Sequence, residues 1–131
     1  MTRSIRLSPE TLLLRQVHPN FVQNGRPTSQ VFRPTPKDEA KLSVYDGDKI
    51  TAEAAWTHYT NVLTFKSAGV LAVSLSETKS QVLDVVADGI PFPEHCSVDF
   101  TGLAEADVKS KSKLLASYAA ARGWQIQALL H

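Results

Sequence analysis

The sequence predicts an α+β fold, with a single mixed, mostly antiparallel sheet and two main helices at about residues 52–63 and 105–122. Short apolar runs of strand length recur along the chain, two longer segments have helical periodicity, and Gly and Pro separate these segments. We expect both helices to cover one face of the sheet. Since 131 residues is a common size for one domain, we divide the chain into an N-terminal arm (1–10) and a single domain (11–131).

The predicted strands are short segments that mostly alternate apolar and polar residues or are wholly apolar. In chain order they run over Thr11 to Val17, Ser29 to Phe32, Leu42 to Tyr45, Val70 to Leu75, Val82 to Val86, Cys96 to Phe100 and Trp124 to Leu130. The second and third are interpreted as hairpin partners, and Asp46-Gly47-Asp48 is predicted to form a turn.

Both main helices carry local signals at their ends. Thr51 is a predicted N-cap, and the residues Ala52, Ala55, Trp56, Tyr59 and Leu63 form a stripe at helical spacing. The second helix begins with acidic residues at Glu105 and ends at Arg122, where Gly123 is placed as a C′ glycine. The link from Ser76 to Gln81 is predicted to form a helical turn.

Composition excludes several function classes. Fourteen Lys and Arg against thirteen Asp and Glu leave a net charge of +1, which is no strong nucleic-acid signal. The single cysteine, Cys96, has no intramolecular partner for a disulfide, so a reducing cytoplasm fits best. No run approaches the ~20 apolar residues of a membrane helix, and we expect no signal peptide.

Arg15-x-x-His18-Pro19 is the first pattern that could carry chemistry. A guanidinium on an apolar strand is costly unless a carboxylate, a phosphate or carbonyl groups satisfy its donors. In the functional interpretation Arg15 holds a phosphate and His18 acts as acid or base. Because a spacing of three places the two on opposite faces of a regular strand, their cooperation requires a bulge or bend before Pro19.

A second pattern, Pro93-Glu94-His95-Cys96, leads into a predicted strand on which His95 shares a face with Ser97 and Asp99. Asp99 is too far along that strand to hydrogen-bond His95 directly. Cys96 points the other way and is interpreted as a core residue. Paired metal-ligand spacings, glycine-rich nucleotide loops and Gly-x-Ser-x-Gly are all lacking, so we predict no metal and no cofactor.

Four short motifs together resemble those of a group of small uncharacterised bacterial proteins, over most of the chain: Arg15-x-x-His18-Pro19, Ser29-x-x-Phe32-x-Pro34, Leu42-Ser43-Val44 and Pro93-x-His95. The resemblance implies a bacterial, cytoplasmic, one-domain protein.

A more distant similarity is to ADP-ribosyltransferase-like folds, which would give Arg15, Ser29 and Tyr45 a role in holding NAD. The chain departs from that pattern because no Glu-x-Glu follows the later strands, and Glu94 and Glu105 are poor substitutes.

Four interpretations follow, with Arg15, Ser29, Arg33 and Tyr45 as predicted ligand-binding residues. The chain is a binding or accessory module that recognises a partner protein or a phosphate-bearing ligand through its 20–41 loops and the His95 face. Alternatively, it is a small metal-independent enzyme acting on a nucleotide or RNA phosphodiester, with His18 and His95 as acid and base, or an ADP-ribosyltransferase-like protein. In the last interpretation, Arg15, His18 and His95 only satisfy buried backbone groups where loops cross the sheet.

Overall fold

The computed structural model describes residues 7–34 and 40–128, which form a sheet with helices packed on it. In chain order the elements are β1 (Leu12–Gln16), β2 (Val22–Gln23), β3 (Arg26–Pro27), β4 (Lys41–Asp46), α1 (Ala52–Thr57), β5 (Gly69–Ser74), α2 (Leu75–Ser80), β6 (Asp84–Val86), β7 (His95–Asp99), α3 (Glu105–Arg122) and β8 (Ile126–Gln127). Two 3₁₀ turns span Pro19–Phe21 and Ser29–Phe32, and α1 continues as a π-helical turn over His58–Val62.

Six strands form one sheet in the order β6-β7-β4-β1-β5-β8, and β2 and β3 form a separate hairpin. All neighbouring pairs in the main sheet are antiparallel. In the register, Leu13 lies opposite Val73, and Tyr45 lies opposite His95. The α+β prediction is therefore confirmed.

Both faces of the central strands are apolar, so the sheet carries a core on each side. On one face Leu13 packs with Leu115 and Ala119 of α3. On the other face Leu14 packs with Ala55 of α1 and Ala72. The expectation that both helices cover one face is wrong. Consecutive residues of β1, Leu13 and Leu14, point to opposite faces and both are apolar, so each face must be covered by a helix.

Local signals fix the helix ends. The side chain of Thr51 accepts a hydrogen bond from the backbone N–H of Ala54 at 3.1 Å, which confirms the predicted N-cap. Helix α3 covers Glu105–Arg122 as predicted, and the following Gly123 has a φ of 92°. The predicted helical turn after β5 is α2, which begins one residue earlier, at Leu75.

Two strand predictions are wrong. Ser29–Phe32 is a 3₁₀ turn in which consecutive residues, Val31 and Phe32, are both buried, and a strand would have turned one of them outward. Its predicted hairpin with Leu42 to Tyr45 is therefore absent; that segment lies in β4, which pairs with β1 and β7.

The last predicted strand is shorter than expected, as β8. Its end, Leu129 and Leu130, lies outside the described residues, as do positions 1–6 of the predicted arm. Among the residues described, no helix is both long and apolar enough to cross a bilayer.

Candidate functional site

A cavity of about 340 Å³ opens beside β1 and β4. We call it the aromatic cavity; its lining residues come from β1, β4, the π-helical turn and the segment after it, the β6–β7 loop and β7, and they are Arg15, Gln16, Ser43, Val44, Tyr45, Tyr59, Leu63, Phe65, Pro91, Phe92 and His95. It therefore joins segments that are far apart in the sequence.

Rings form much of the wall of this cavity. Tyr45 and Phe92 lie with ring centroids 5.0 Å apart, and Tyr59 and Phe65 lie 5.2 Å apart. Phe65 is 55% exposed although it is a large apolar side chain. Flat, partly exposed rings around a cavity offer stacking surfaces to a planar group such as a nucleobase or an aryl ring.

Two side chains that line the cavity, Ser43 and His95, form a row of hydrogen bonds with Asp88, which lies behind His95. His95 Nδ1 lies 2.7 Å from Asp88 Oδ1, and His95 Nε2 lies 3.0 Å from Ser43 Oγ. The sheet register explains the second contact: Ser43 pairs with Ser97 and Tyr45 pairs with His95, so Ser43 and His95 are diagonal neighbours on one face. Asp88 reaches them from the loop between β6 and β7.

The charge of Asp88 determines which atoms donate and which accept in this row of hydrogen bonds. Partial burial opposes its ionisation, but hydrogen bonds from His95 and Ser97 outweigh that effect and lower the pKa of Asp88 below its ordinary value. Ser97 Oγ donates to Asp88 Oδ2 at 2.8 Å. Ionised Asp88 accepts the Nδ1 proton of His95, so the Nε2 lone pair of the neutral ring faces the Ser43 hydroxyl.

Arg15 reaches the cavity where β1 and β4 stop pairing. Their paired residues are Leu13 with Asp46 and Leu14 with Tyr45. Beyond them, Arg15 Nη1 donates to the carbonyl oxygen of Ser43 at 2.9 Å, and its Nε donates to the carbonyl oxygen of Val31 at 2.7 Å. Backbone carbonyls thus supply contacts that a guanidinium on an apolar strand requires, and its charge lies beside Ser43.

Tyr45 belongs to the same cavity, but it is bonded elsewhere. Its hydroxyl lies 2.8 Å from His58 Nδ1. Burial, reinforced by Tyr59 and Glu94, raises the pKa of the Tyr45 hydroxyl well above its ordinary value. Tyr45 therefore stays neutral across the physiological range and presents a ring and a hydroxyl.

A second cavity, of about 330 Å³, lies between the Ser29–Phe32 turn and α3. We call it the basic cavity, because its lining combines three cations with hydroxyl groups: Ser29, Arg33, Lys109, Ser110, Ser112 and Lys113. Arg33 makes an ion pair with exposed Glu105 at 3.3 Å, and Ser112 Oγ donates to the carbonyl oxygen of Phe32. Lys109 and Lys113 are one helical turn apart and exposed.

The structure divides the sequence-derived site residues among three places. Arg15, Tyr45 and His95 line the aromatic cavity, while Ser29 and Arg33 line the basic one. The remaining residue, His18, lines neither cavity: it caps the first 3₁₀ turn, where its Nδ1 accepts from the N–H of Asn20 at 3.0 Å.

Sequence reasoning missed Asp88 and the role of Ser43. Asp88 lies on an irregular loop, seven residues before its partner His95, and no periodicity connects the two. In the sequence, Ser43 stands out only as part of the motif Leu42-Ser43-Val44. The available signal was the strand alternation, which already placed Ser43 and His95 on the polar faces of their strands.

Within the described part of the chain, no group of three His, Cys, Asp or Glu side chains is placed to hold a metal ion. Comparison with known proteins found no matching family model, no matching curated protein and no matching solved structure.

Proposed function

We propose that this chain is a small bacterial cytoplasmic hydrolase that cleaves an ester-type bond in the aromatic cavity, with His95 as its acid–base group. The observation that carries the proposal is the placement of His95 at the cavity, with Asp88 on one ring nitrogen and a hydroxyl on the other. A buried histidine held by an ionised carboxylate has a fixed ring orientation and a defined tautomer.

The chemistry requires a histidine that both takes up and releases a proton. Asp88 stabilises the imidazolium that forms when Nε2 accepts a proton, and the low exposure of the His95 side chain, 9%, strengthens that interaction. General acid–base catalysis of this kind contributes roughly 10²- to 10⁴-fold to a rate. His18 lies outside the cavity, so it is not assigned the second role that the sequence suggested.

The lining favours a substrate with a planar group. Tyr59, Phe65 and Phe92 offer ring faces or edges, and the charge of Arg15 favours a substrate whose reacting centre develops negative charge. An ester or phosphodiester with an aryl or base-bearing leaving group fits this combination.

Two chromogenic substrates with the same leaving group test the proposal: 4-nitrophenyl acetate and bis(4-nitrophenyl) phosphate. We expect saturable hydrolysis of at least one, and a loss of about 100-fold in His95→Ala. His18→Ala should retain the wild-type rate, because His18 does not line the cavity. Equal rates for wild type and His95→Ala on both substrates, with both proteins folded, would reject the hydrolase.

A second function is favoured by the basic cavity: recognition of a phosphate-bearing ligand. Arg33, Lys109 and Lys113 line one space together with Ser29. Glu105, which pairs with Arg33, is 79% exposed on its side chain and can be displaced. Cations and hydroxyls around a concavity are the groups that bind phosphate oxygens. Recognition of a protein partner stays a prediction from the sequence.

Titration with inorganic phosphate followed by calorimetry tests this second function. We expect weak binding that the double variant Lys109→Ala/Lys113→Ala loses. Lys79→Ala, which removes an exposed lysine of α2, is the matched control and should bind as wild type does. Unchanged binding in the double variant would remove the basic cavity from the function.

A further inference from the structure

We infer that Ser43 is the nucleophile of the aromatic cavity and that the chain transfers acyl groups from carboxylic esters through a covalent acyl-serine. This inference rests on the proposed hydrolase function and specifies its substrate class. Its basis is the continuous chain of hydrogen bonds from Asp88 through His95 to Ser43 at the cavity lining.

The three groups satisfy the geometric requirements of nucleophilic catalysis. The nucleophile is within hydrogen-bond reach of the base, at 3.0 Å, and the base is oriented by a third group, at 2.7 Å. Ser43 is exposed whereas His95 is 8% exposed, so a substrate can reach the hydroxyl while the base stays protected. Such a constellation is recognised by geometry and roles, and it recurs on unrelated folds.

A single histidine favours carboxylic over phosphoric esters. At a carbonyl carbon the attacking and leaving oxygens are on the same side as one base, which can take the proton from serine and return it to the leaving group. At phosphorus the attacking and leaving oxygens lie in line, on opposite sides, so a separate acid is needed across the cavity. The pKa of the cavity hydroxyl of Tyr45 is raised by burial, which makes Tyr45 a poor acid for that task.

The reaction balances without a further reagent. Ser43 Oγ bonds to the ester carbonyl carbon as its proton moves to His95 Nε2. The bond from that carbon to the leaving oxygen then breaks, and the alcohol leaves with the proton from His95. Water attacks the acyl-serine, gives its proton to His95, and releases the acid as the Ser43 hydroxyl is restored.

Arg15 supplies a positive charge to the same cavity. Its Nη1 is 2.9 Å from the backbone carbonyl oxygen of Ser43, so the guanidinium is held next to the residue on which the tetrahedral oxyanion would form. A fixed positive charge at this point stabilises the transition state more than the neutral ester.

The matched esters provide the first test. We expect 4-nitrophenyl acetate to be the better substrate and Ser43→Ala to lose about 100-fold in its hydrolysis, as His95→Ala does. Ser117→Ala, an exposed serine of α3, is the matched control. If His95 is required but Ser43→Ala retains activity, or if only the phosphodiester is cleaved, the proposed hydrolase function is retained and the acyl-serine intermediate is rejected. If neither ester is cleaved, both proposals fall.

Covalent labelling tests the nucleophile in the wild-type chain, where variant folding plays no part. An alkyl fluorophosphonate should form a bond from its phosphorus to Ser43 Oγ as the hydroxyl proton moves to His95 Nε2 and fluoride leaves; fluoride, unlike an alkoxide, needs no acid on the far side of the phosphorus. The expected result is a single adduct, mapped to Ser43 by peptide mass spectrometry. Labelling elsewhere, or none, would overturn the assignment of Ser43.

Discussion

At the scale of single residues, burial decides what each reactive group can do. Cys96 is fully buried in the core on the α3 face. Burial, with smaller contributions from Asp46 and Asp88, raises the pKa of the Cys96 thiol to about 12. Because the thiolate is the reactive form, Cys96 is chemically inert in the folded chain, as the sequence interpretation of a core residue implies.

We therefore predict that a thiol reagent of the dithio-nitrobenzoate type leaves the native protein unmodified at pH 8 and reacts with one thiol in denaturant. Absorbance of the released thiolate measures both states. Cys96→Ala serves as the blank. Rapid reaction of the native protein would show that the core on the α3 face opens far more often than its packing implies.

The residue scale also shows how much of the site a sequence can reveal. Arg15 was recognisable because a charged residue embedded in an apolar strand needs a partner. His95 was recognisable because it lies on the polar face of an alternating strand, beside Ser97 and Asp99. Their actual partners were not recognisable. Asp88 and the Val31 carbonyl approach from loops, and loop positions follow from tertiary packing that no local period encodes.

At the scale of elements, short helix α2 depends on its ends. Ser74 and Glu77 form a reciprocal capping box at its start. Glu77 also pairs with Arg122 at the end of α3, through contacts of 2.8 and 3.2 Å. Arg122 further donates to the carbonyl oxygen of Ala72, so one ion pair ties α2, α3 and β5 together.

Glu77→Gln should lower the free energy of unfolding by about 1 to 2 kcal/mol at neutral pH. Partial burial opposes ionisation, but the bonds from Arg122 and Ser74 prevail and lower the pKa of Glu77. The stabilisation is therefore complete above the pKa that a glutamate has in the unfolded chain, and it is lost as the pH falls through the folded value.

Urea denaturation at neutral and acidic pH measures this difference. The difference in the free energy of unfolding between wild type and Glu77→Gln should decrease as the pH falls. Glu53→Gln, in the first turn of α1 but exposed, should show a smaller effect. A difference in free energy that does not change with pH would mean that the charge of Glu77 contributes nothing to the contact between α2 and α3.

Elements with strong local signals were predictable, and those formed by packing were not. The caps at Thr51 and Gly123 defined helix ends, and β5 is a run that is buried throughout. The strand prediction for Ser29–Phe32 is wrong because Val31 and Phe32, which favour β-structure, pack against α3 instead of pairing with a strand. Tertiary contact there overrides local preference.

Gly69 shows an element junction that only glycine permits. Its φ is 151°, and a Cβ there would collide with the carbonyl oxygen of Ile126 and the ring of Trp124. We predict that Gly69→Ala weakens the pairing of β5 with β8 and lowers the melting temperature by several degrees, since about 1 kcal/mol shifts it by a few degrees in a chain of this size. Calorimetry measures the shift. Gly102→Ala is the comparison, because Gly102 also has a positive φ, of 84°, but its added Cβ meets nothing within 4 Å, so only the backbone strain is shared.

At the scale of the whole molecule, two cores share one sheet. Strands β1 and β5 contribute residues to both, so neither core can separate without disrupting the strands that form the other. The two tryptophans of the chain report on the two faces: Trp56 packs against the α1 core and Trp124 against the α3 core.

We predict that Trp56→Phe and Trp124→Phe, each leaving one fluorescent reporter, give unfolding curves in which the two faces lose structure together. Adding Leu115→Ala, which removes side-chain volume from the α3 core alone, should lower the free energy of unfolding by about 2 to 5 kcal/mol, and both tryptophans should report the same decrease. Tryptophan fluorescence in urea is the measurement. A shift seen only by Trp124 would mean that the two cores unfold independently.

Asp88 lies on the loop that joins β6, the three-residue outermost strand, to β7. Among the described strands, β6 pairs with β7 alone, at the edge of the sheet, and Val82 and Ile90, which flank it in the sequence, are 84% and 71% exposed. Segments of this kind detach in local openings that cost less free energy than global unfolding. The temperature at which the site is lost is therefore set by the pairing of β6 with β7. Hydrogen exchange at Asp84–Val86 should become fast at temperatures where the rest of the sheet is still intact. At those temperatures His95 should also lose its hydrogen bond to Asp88.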